Sequence, residues 1–194
     1  VDQCVDELSI SKCIREQRQK TIMYKIRNDL LDGMNLDEGV LKQIYVNNIN
    51  EFAKNHKKMD DFTMYRYILD NLSYRLKNIT ASSTNKKEYL KQYADMAFKD
   101  KKELLGNRFS EYCRLCTLKA LDDGWIEEVD YLQQLQAAIS GRSTAQRNLL
   151  YEYQREARLS FRDMEKSIKK AMIRNILLGE VSFGKDNEMI ILYP

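Results

Sequence analysis

The cysteine residues are the first candidates for chemistry in this sequence. Cys113 and Cys116 have the CxxC spacing of redox pairs and zinc sites. A redox pair needs a helix N-terminus to lower the thiol pKa, and a structural zinc needs two further ligands. These two residues lie instead within a helical apolar pattern, far in sequence from Cys4 and Cys13, and His56 is the only histidine. The pattern therefore favours packed, reduced thiols, and we expect no metal site.

Adjacent carboxylates are the second candidates. Asp122-Asp123 and Glu127-Glu128 have the composition of acid and base pairs. They stand on a predicted amphipathic helix, where acidic pairs mostly form a solvated face. The sequence has no GxxxxGK[ST] phosphate loop and no Asp-Glu-Ala-Asp box, and a single histidine removes most catalytic triads. We therefore expect no catalytic residues and no bound cofactor in this chain of 194 residues.

The acidic pairs and the CxxC cysteines described above lie in region 109–178, which contains two long stripes of regularly spaced apolar residues. Their members recur at steps of three and four, which places each set on one helical face. The first stripe is Leu118, Leu121, Trp125, Val129, Leu132, Leu135 and Ile139, and the second is Leu150, Tyr153, Ala157, Phe161, Met164, Ile168 and Met172. The polar loop 140–144 between them contains one glycine, which suits a tight reversal. We expect an antiparallel pair of helices, each of about 25 residues or more.

Charge supports this pairing. Residues 107–139 carry three Lys/Arg and six Asp/Glu, for a net charge of −3, whereas residues 146–174 carry eight and four, for a net charge of +4. Opposite signs favour docking and register, although each exposed ion pair contributes only about 0–1 kcal/mol. The pattern alone is equally typical of a plain antiparallel coiled coil.

The rest of the chain is also predicted to be helical. The only proline is Pro194, so no helix is interrupted from within. Apolar spacing predicts helices at 8–32, 40–55, 60–78 and 86–105, and a short β-hairpin or edge strand after Leu178. The sequence has no apolar run of 18 residues, so no membrane span is expected, and the net charge of +3 is too small to indicate nucleic-acid binding.

The finger-like helix pair resembles a known family at its loop and flanks. It is similar to the two-helix finger of SecA, the ATP-driven motor of bacterial protein export. The family has a leucine-rich run, an Asp and then a Trp, where this chain has Leu118-Lys-Ala-Leu-Asp-Asp-Gly-Trp125. It then has an Arg-Gly-Tyr-Ala-Gln tip and Gln-Glu-Tyr-Lys-Arg-Glu, where this chain has Arg142-Ser-Thr-Ala-Gln146 and Tyr151-Glu-Tyr-Gln-Arg-Glu156. Nearer the start, Gln19, Tyr24, Arg27, Asn28, Leu30, Leu31 and Asp32 resemble the end of the family's scaffold helix.

Several positions depart from the family pattern. The aromatic residue of the tip is Thr144 here, and the histidine that follows the family's Trp-x-Glu is Glu128. The family's cysteine- and histidine-rich zinc tail is absent from this sequence. These differences resemble the accessory SecA of Gram-positive bacteria, which exports a narrow set of glycoproteins.

The resemblance implies an all-α fold of four segments: a scaffold helix (1–32), a helical wing domain (33–105), a two-helix finger (106–178) and a short extended C-terminal tail (179–194). It implies that the finger tip contacts preprotein or channel through Arg142, Ser143 and Thr144. It further implies that finger packing and coupling between domains depend on Trp125, Tyr153, Arg155, Glu156, Tyr24 and Arg27.

The function implied by the resemblance is that of the scaffold and wing of an export motor. ATP and Mg would bind nucleotide-binding lobes of the same parent chain, outside this segment. The implied partners are those lobes, the preprotein and the membrane translocation channel, with no nucleic acid. The implied location is the cytoplasm, at the inner face of the bacterial cell membrane. The alternative left open by the sequence is a helical adaptor, a coiled-coil interaction module with no motor.

Overall fold

Helices make up most of the structure, a computed structural model that describes residues 2–76, 85–140 and 149–194, with side chains excluded for residues 2–16 and 140. Six α-helices lie within these ranges: α1 (Asp2–Leu31), α2 (Glu38–Asn55), α3 (Asp61–Asn71), α4 (Lys86–Leu105), α5 (Phe109–Ser140) and α6 (Leu149–Leu178). A single 3₁₀ turn, Gly106–Arg108, separates α4 from α5. Two antiparallel strands follow, β1 (Glu180–Phe183) and β2 (Met189–Leu192).

The predicted fold class is confirmed. The two helices predicted from the apolar stripes span 32 residues in α5 and 30 residues in α6. Of the two structures predicted after Leu178, a hairpin or an edge strand, the hairpin is present, with Glu180 opposite Leu192 in register. Its turn is closed by Asn187, which adopts a positive φ of 57°. Asparagine tolerates this left-handed conformation better than most residues, which suits it to the turn.

Short polar side chains define the starts of the shorter helices. The backbone N–H of Val40 donates to Asp37 at 2.9 Å, and the N–H of Thr63 donates to Asp60 at 2.7 Å. Each bond satisfies one of the amide groups that have no partner inside the helix. α3 ends at Asn71 rather than near residue 78. Just beyond, Ser73 Oγ accepts from the N–H of Arg75 and donates to its carbonyl, a local pairing that competes with helix continuation.

The chain divides into two compact units. The first comprises residues 1–33 and 121–168, and the second comprises residues 34–120 and 169–194. Both α5 and α6 therefore contribute residues to each unit. The division into scaffold, wing, finger and tail was inferred from resemblance and remains a prediction.

The first unit buries two apolar clusters along α5 and α6. One contains Leu132, Ile139, Leu149, Tyr153 and Ala157, with Leu135 and Leu150 partly buried against it. The other contains Met23, Leu121 and Met164, with Trp125, Phe161 and Ile168 partly buried against it. Because the second cluster includes a residue of α1, all three helices of this unit share one core.

The second unit has its core among α2, α3 and α4. Fully or nearly fully buried side chains include Leu41, Tyr45, Ile49, Met64, Ile68, Leu90, Tyr93, Ala94 and Phe98. The ring of Phe98 meets that of Tyr45 at 5.9 Å and that of Phe109 edge-on at 5.2 Å. Such aromatic pairs add specific geometry to apolar burial.

The C-terminal end of α6 is held by side chains of the second unit. The hydroxyl of Tyr112 lies 2.9 Å from the carbonyl of Asn175, 3.0 Å from that of Ile176 and 3.1 Å from that of Gly179. Lys101 Nζ donates to the Gly179 carbonyl at 2.7 Å. These side chains bond carbonyl groups at the end of the helix, where the Asn175 carbonyl also accepts from the N–H of Gly179, and the lysine charge complements the helix dipole.

Candidate functional site

Trp125 lies on the apolar face of α5, as its spacing predicted. Its ring is half-buried and packs beside Met164 of α6 and Met23 of α1. The indole therefore packs against a cluster to which α1 and α6 both contribute. The sequence indicated the α6 contact from periodicity, but the α1 contact involves a residue about a hundred positions away.

Gly124 permits a close approach of α5 and α6. A Cβ atom added at this position would lie 2.5 Å from Cγ1 and 3.0 Å from Cδ1 of Ile168. Real Cβ atoms do not tolerate such distances, so any side chain here would displace Ile168 or separate the helices. The glycine therefore sets the local spacing of the pair.

Arg27 and Asp122 join α1 to α5. Arg27 Nε lies 2.9 Å from Asp122 Oδ1, and Nη2 lies 3.5 Å from Oδ2. Both side chains are about two-fifths exposed, which limits the contribution of the pair to stability. Its two parallel contacts nevertheless fix the orientation of the guanidinium group relative to the carboxylate. Asp122, assigned by sequence to a solvated acidic face, is thus an interhelical partner.

An open groove runs beside this ion pair. It has a volume of about 400 Å³ and is lined by Met23, Tyr24, Arg27, Leu121, Asp122, Trp125 and Ile126. Three predicted coupling residues, Tyr24, Arg27 and Trp125, therefore line one groove. Tyr24 and Ile126 are 47% and 60% exposed, so the groove presents apolar surface to solvent.

The other predicted packing residues lie on α6. Tyr153 is completely buried in the cluster that Leu132 and Ile139 form with α6. Arg155 and its neighbour Glu156 pair with each other, with Arg155 Nη2 2.8 Å from Glu156 Oε1. Glu156 raises the pKa of the Arg155 guanidinium, which stays charged. The expected roles of these two residues in anchoring or nucleotide sensing remain predictions.

The predicted tip residues Arg142, Ser143 and Thr144 lie outside the described residues. Their assignment as the contact with preprotein or channel therefore stands as a prediction from resemblance.

Glu128 is the residue that sequence reasoning placed wrongly. Glu127 is exposed, as expected for a solvated acidic face, but Glu128 is only 4% exposed. Ser160 Oγ of α6 donates to Glu128 Oε2 at 2.5 Å. Burial raises the pKa of the Glu128 carboxyl, Ser160 partly opposes this effect, and the charge of Asp163 adds to it. Its spacing was a usable signal, because position 128 lies three residues after Trp125 on the buried stripe.

Cys113 and Cys116 are buried free thiols inside α5, as predicted. Burial raises the pKa of each thiol to about 12, so both are protonated at neutral pH. Within the described ranges, no three Cys, His, Asp or Glu side chains converge as metal ligands. None of the helices described is both long and apolar enough to cross a membrane.

The family model and the individual relatives that match this chain indicate the same protein family. A family model described as the SecA Wing and Scaffold domain matches residues 10–180. Protein translocase subunit SecA 2 of Streptococcus agalactiae serotype V is 38% identical over 186 residues, which is 91% of this chain and 23% of that protein. SecA 2 of Pediococcus pentosaceus is 31% identical over 184 residues, covering 91% of this chain and 23% of its own length. SecA 2 of Staphylococcus epidermidis is 30% identical over 190 residues, covering 94% of this chain and 24% of its own length.

The chain thus spans about a quarter of the length of the curated relatives it matches. The matched region contains about three quarters of α1, the helices α2 to α4, and the long pair α5 and α6. The resemblance that the sequence showed is confirmed, and the similarity to SecA 2 subunits agrees with the accessory type. The chain belongs to the SecA wing and scaffold domain family.

Proposed function

We propose that this chain is the wing and scaffold part of an ATP-driven protein-export motor. Its role is to couple nucleotide-driven movement to preprotein and membrane channel through the finger, which is the helix pair α5 and α6. The observation that supports this role best is the continuous packing of the pair. The first unit buries one cluster near the tip-proximal ends of these helices and another around Gly124, where the helices approach closely.

A packed helix pair suits mechanical transmission. Residues 121–140 of α5 alone extend about 30 Å at about 1.5 Å per residue. Each helix supports the other against bending, because their apolar faces are mutually buried. The ion pair between Arg27 and Asp122, together with Met23, connects α1 to this pair. Movement of α1 would therefore be passed directly to the finger.

The proposed partners follow from the family. SecA 2 relatives are translocase subunits, and ATP with Mg would bind lobes elsewhere in the parent chain. The preprotein and the translocation channel would meet the finger tip at Arg142, Ser143 and Thr144. The parent would work on the cytoplasmic side, peripherally bound to the inner face of the cell membrane.

The tip chemistry differs from that of a finger with an aromatic ring. A ring grips many side chains through apolar area, and Thr144 offers much less. We propose that Arg142 makes the larger contribution to contact with cargo or channel, or that the cargo carries its own recognition element.

The test replaces Arg142, Ser143 and Thr144 together with glycine in the parent protein and measures export in cells. Export is expected to fall, while the melting temperature of the 194-residue chain with the same changes stays at the wild-type value. The matched control replaces Lys57 and Lys58, exposed in the loop between α2 and α3, with glycine. Normal export by the tip variant would reject the tip role and leave the helix pair as a scaffold.

A further inference from the structure

Glu128 has one carboxyl oxygen without a donor. Its Oε2 accepts from Ser160, but its Oε1 is buried and has no hydrogen-bond partner. An ionised carboxylate needs several donors when it is removed from water, and an unsatisfied buried oxygen is costly. A protonated carboxyl group needs an acceptor at that position instead.

Gln19 of α1 also has a buried oxygen without a hydrogen-bond donor, which could accept the hydrogen of a protonated carboxyl group. Its side chain is only 7% exposed, and its Oε1 is buried without a donor. An amide oxygen is an acceptor only, so this atom needs a hydrogen from a neighbouring group.

The contacts between α1 and α5 indicate which residues of the two helices lie opposite each other. Arg27 pairs with Asp122, whereas Met23, one turn earlier in α1, lies in a cluster with both Leu121 and Trp125, and Trp125 lies almost one turn after Asp122 in α5. Moving toward the N-terminus of α1 therefore moves toward the C-terminus of α5, as for antiparallel helices.

One more turn in the same direction reaches Gln19 on α1 and Glu128 on α5. Ser160 of α6 is already bonded to Glu128 at this level. By this extrapolation along the two helices, we infer that the two buried oxygens without donors lie close together in the core of the first unit.

We propose that Glu128 carries a proton in the folded protein and donates it to Gln19 Oε1. Ser160 donates to Oε2 of the same carboxyl group, so a hydrogen-bonded chain runs from α6 through α5 to α1. The single proton satisfies both orphan oxygens. Glu128 is thereby a positioning residue that fixes the scaffold helix against both helices of the finger.

The surrounding charges favour the neutral form. Asp163 of α6 acts on Glu128 with a like charge, and burial raises the pKa of the carboxyl in the same direction. Glu127 on α5 and Lys20 on α1 are exposed, where water screens their charges. Ionisation of Glu128 would remove the donor to Gln19 and leave a buried charge among three helices.

The pH dependence has a defined sign. Because the folded-state pKa is raised above that of the unfolded chain, proton binding favours the folded state. Stability should be highest below the ordinary glutamate pKa of about 4.3, fall as pH rises toward the folded pKa, and then level off.

The first experiment compares urea unfolding of the 194-residue chain with its E128Q variant across pH 5 to 9. A glutamine amide reproduces the protonated carboxyl, because it donates to Gln19 and accepts from Ser160. We expect E128Q to match the wild type at the acidic end and to gain relative stability as pH rises. The control is E127Q, at an exposed site, for which the difference from wild type should not change with pH in this way.

The second experiment reads the proton directly by infrared spectroscopy at pH 7. A protonated carboxyl band should be present in the wild type, absent in E128Q and unchanged in E127Q. Gln19→Met should keep the band but shift its frequency, because the acceptor is lost. A band that is absent from the wild type, or E128Q less stable at pH 7, would show an ionised Glu128 that accepts from the Gln19 amide. A band unmoved by Gln19→Met would remove the link to α1. These readouts are independent of export, so they stand or fall separately from the proposed function.

Discussion

Gly124 determines the spacing of two helices by having no side chain. On sequence grounds it is a poor helix residue, because glycine costs about 1 kcal/mol relative to alanine in a helix interior. The structure gives the compensating reason, since Ile168 occupies the space where a Cβ would lie. A residue that weakens its own helix thus permits close packing between helices.

We expect Gly124→Ala to destabilise the chain by about 1–2 kcal/mol, because overpacking outweighs the gain in helix propensity. Urea unfolding measures the change. The double variant Gly124→Ala with Ile168→Ala should recover stability relative to the sum of the two single changes. Strict additivity in this cycle would mean that the two side chains do not compete for space.

Trp125 is half-buried, and this fraction sets the expected effect of removing it. Complete burial of an indole would give a loss of about 3–5 kcal/mol on truncation to alanine. We expect Trp125→Ala to lose about 1–3 kcal/mol, with Trp125→Phe losing less because it keeps part of the contact with Met23 and Met164. Unfolding curves followed by circular dichroism test this order. A loss below about 1 kcal/mol would instead assign the ring to partner contact.

At the scale of the element, α6 depends on how its C-terminal end is satisfied. Tyr112 and Lys101 donate to carbonyls at the end of the helix, an arrangement that no pattern in the sequence indicated. A Cβ at Gly179 would lie 2.5 Å from the Asn175 carbonyl oxygen and 2.6 Å from the Tyr112 hydroxyl. The hydroxyl and carbonyl groups that bond the end of the helix therefore also fill the space that a side chain at position 179 would need.

We predict that Tyr112→Phe lowers the free energy of unfolding by about 1–2 kcal/mol, because the carbonyl groups around the buried hydroxyl lose the one hydrogen that it donates. Gly179→Ala should destabilise the chain as well, since backbone carbonyl and tyrosine hydroxyl cannot both move aside. Thermal and urea unfolding of both variants supply the measurement. Lys185→Ala, at an exposed position in the hairpin, serves as the control and should leave stability unchanged. Wild-type stability of Tyr112→Phe would show that water replaces the hydroxyl.

At the scale of the whole molecule, the chain corresponds to the wing and scaffold domain of its family. The sequence has no phosphate loop, and the relatives are about four times as long as the region they share with this chain. The missing phosphate loop leads to a direct test of nucleotide binding by this chain.

We predict that the 194-residue chain neither binds ATP at micromolar concentration nor hydrolyses it. Isothermal titration calorimetry and a phosphate-release assay measure both, with the full-length parent protein as the positive control. Micromolar binding by the isolated chain would show that a nucleotide site had been overlooked in this segment.

The sequence by itself determined the helical class, the two long helices α5 and α6 and the family, and it limited the end of the chain to a hairpin or an edge strand. These features depend on local periodicity, on glycine and proline placement and on short motifs, all of which are readable along the chain. It also placed Trp125 on the buried face of α5, because a stripe at helical spacing identifies a face.

Only the tertiary structure decided which residues meet across that face. Arg27 and Asp122 are 95 residues apart, and no local pattern relates them. Likewise, Glu128 was assigned to solvent because acidic pairs usually are solvated, whereas packing against α6 and its bond to Ser160 bury it. Periodicity fixes the direction of a side chain on its own helix, but the partner it meets depends on the rotation and offset of neighbouring helices, which long-range packing alone sets.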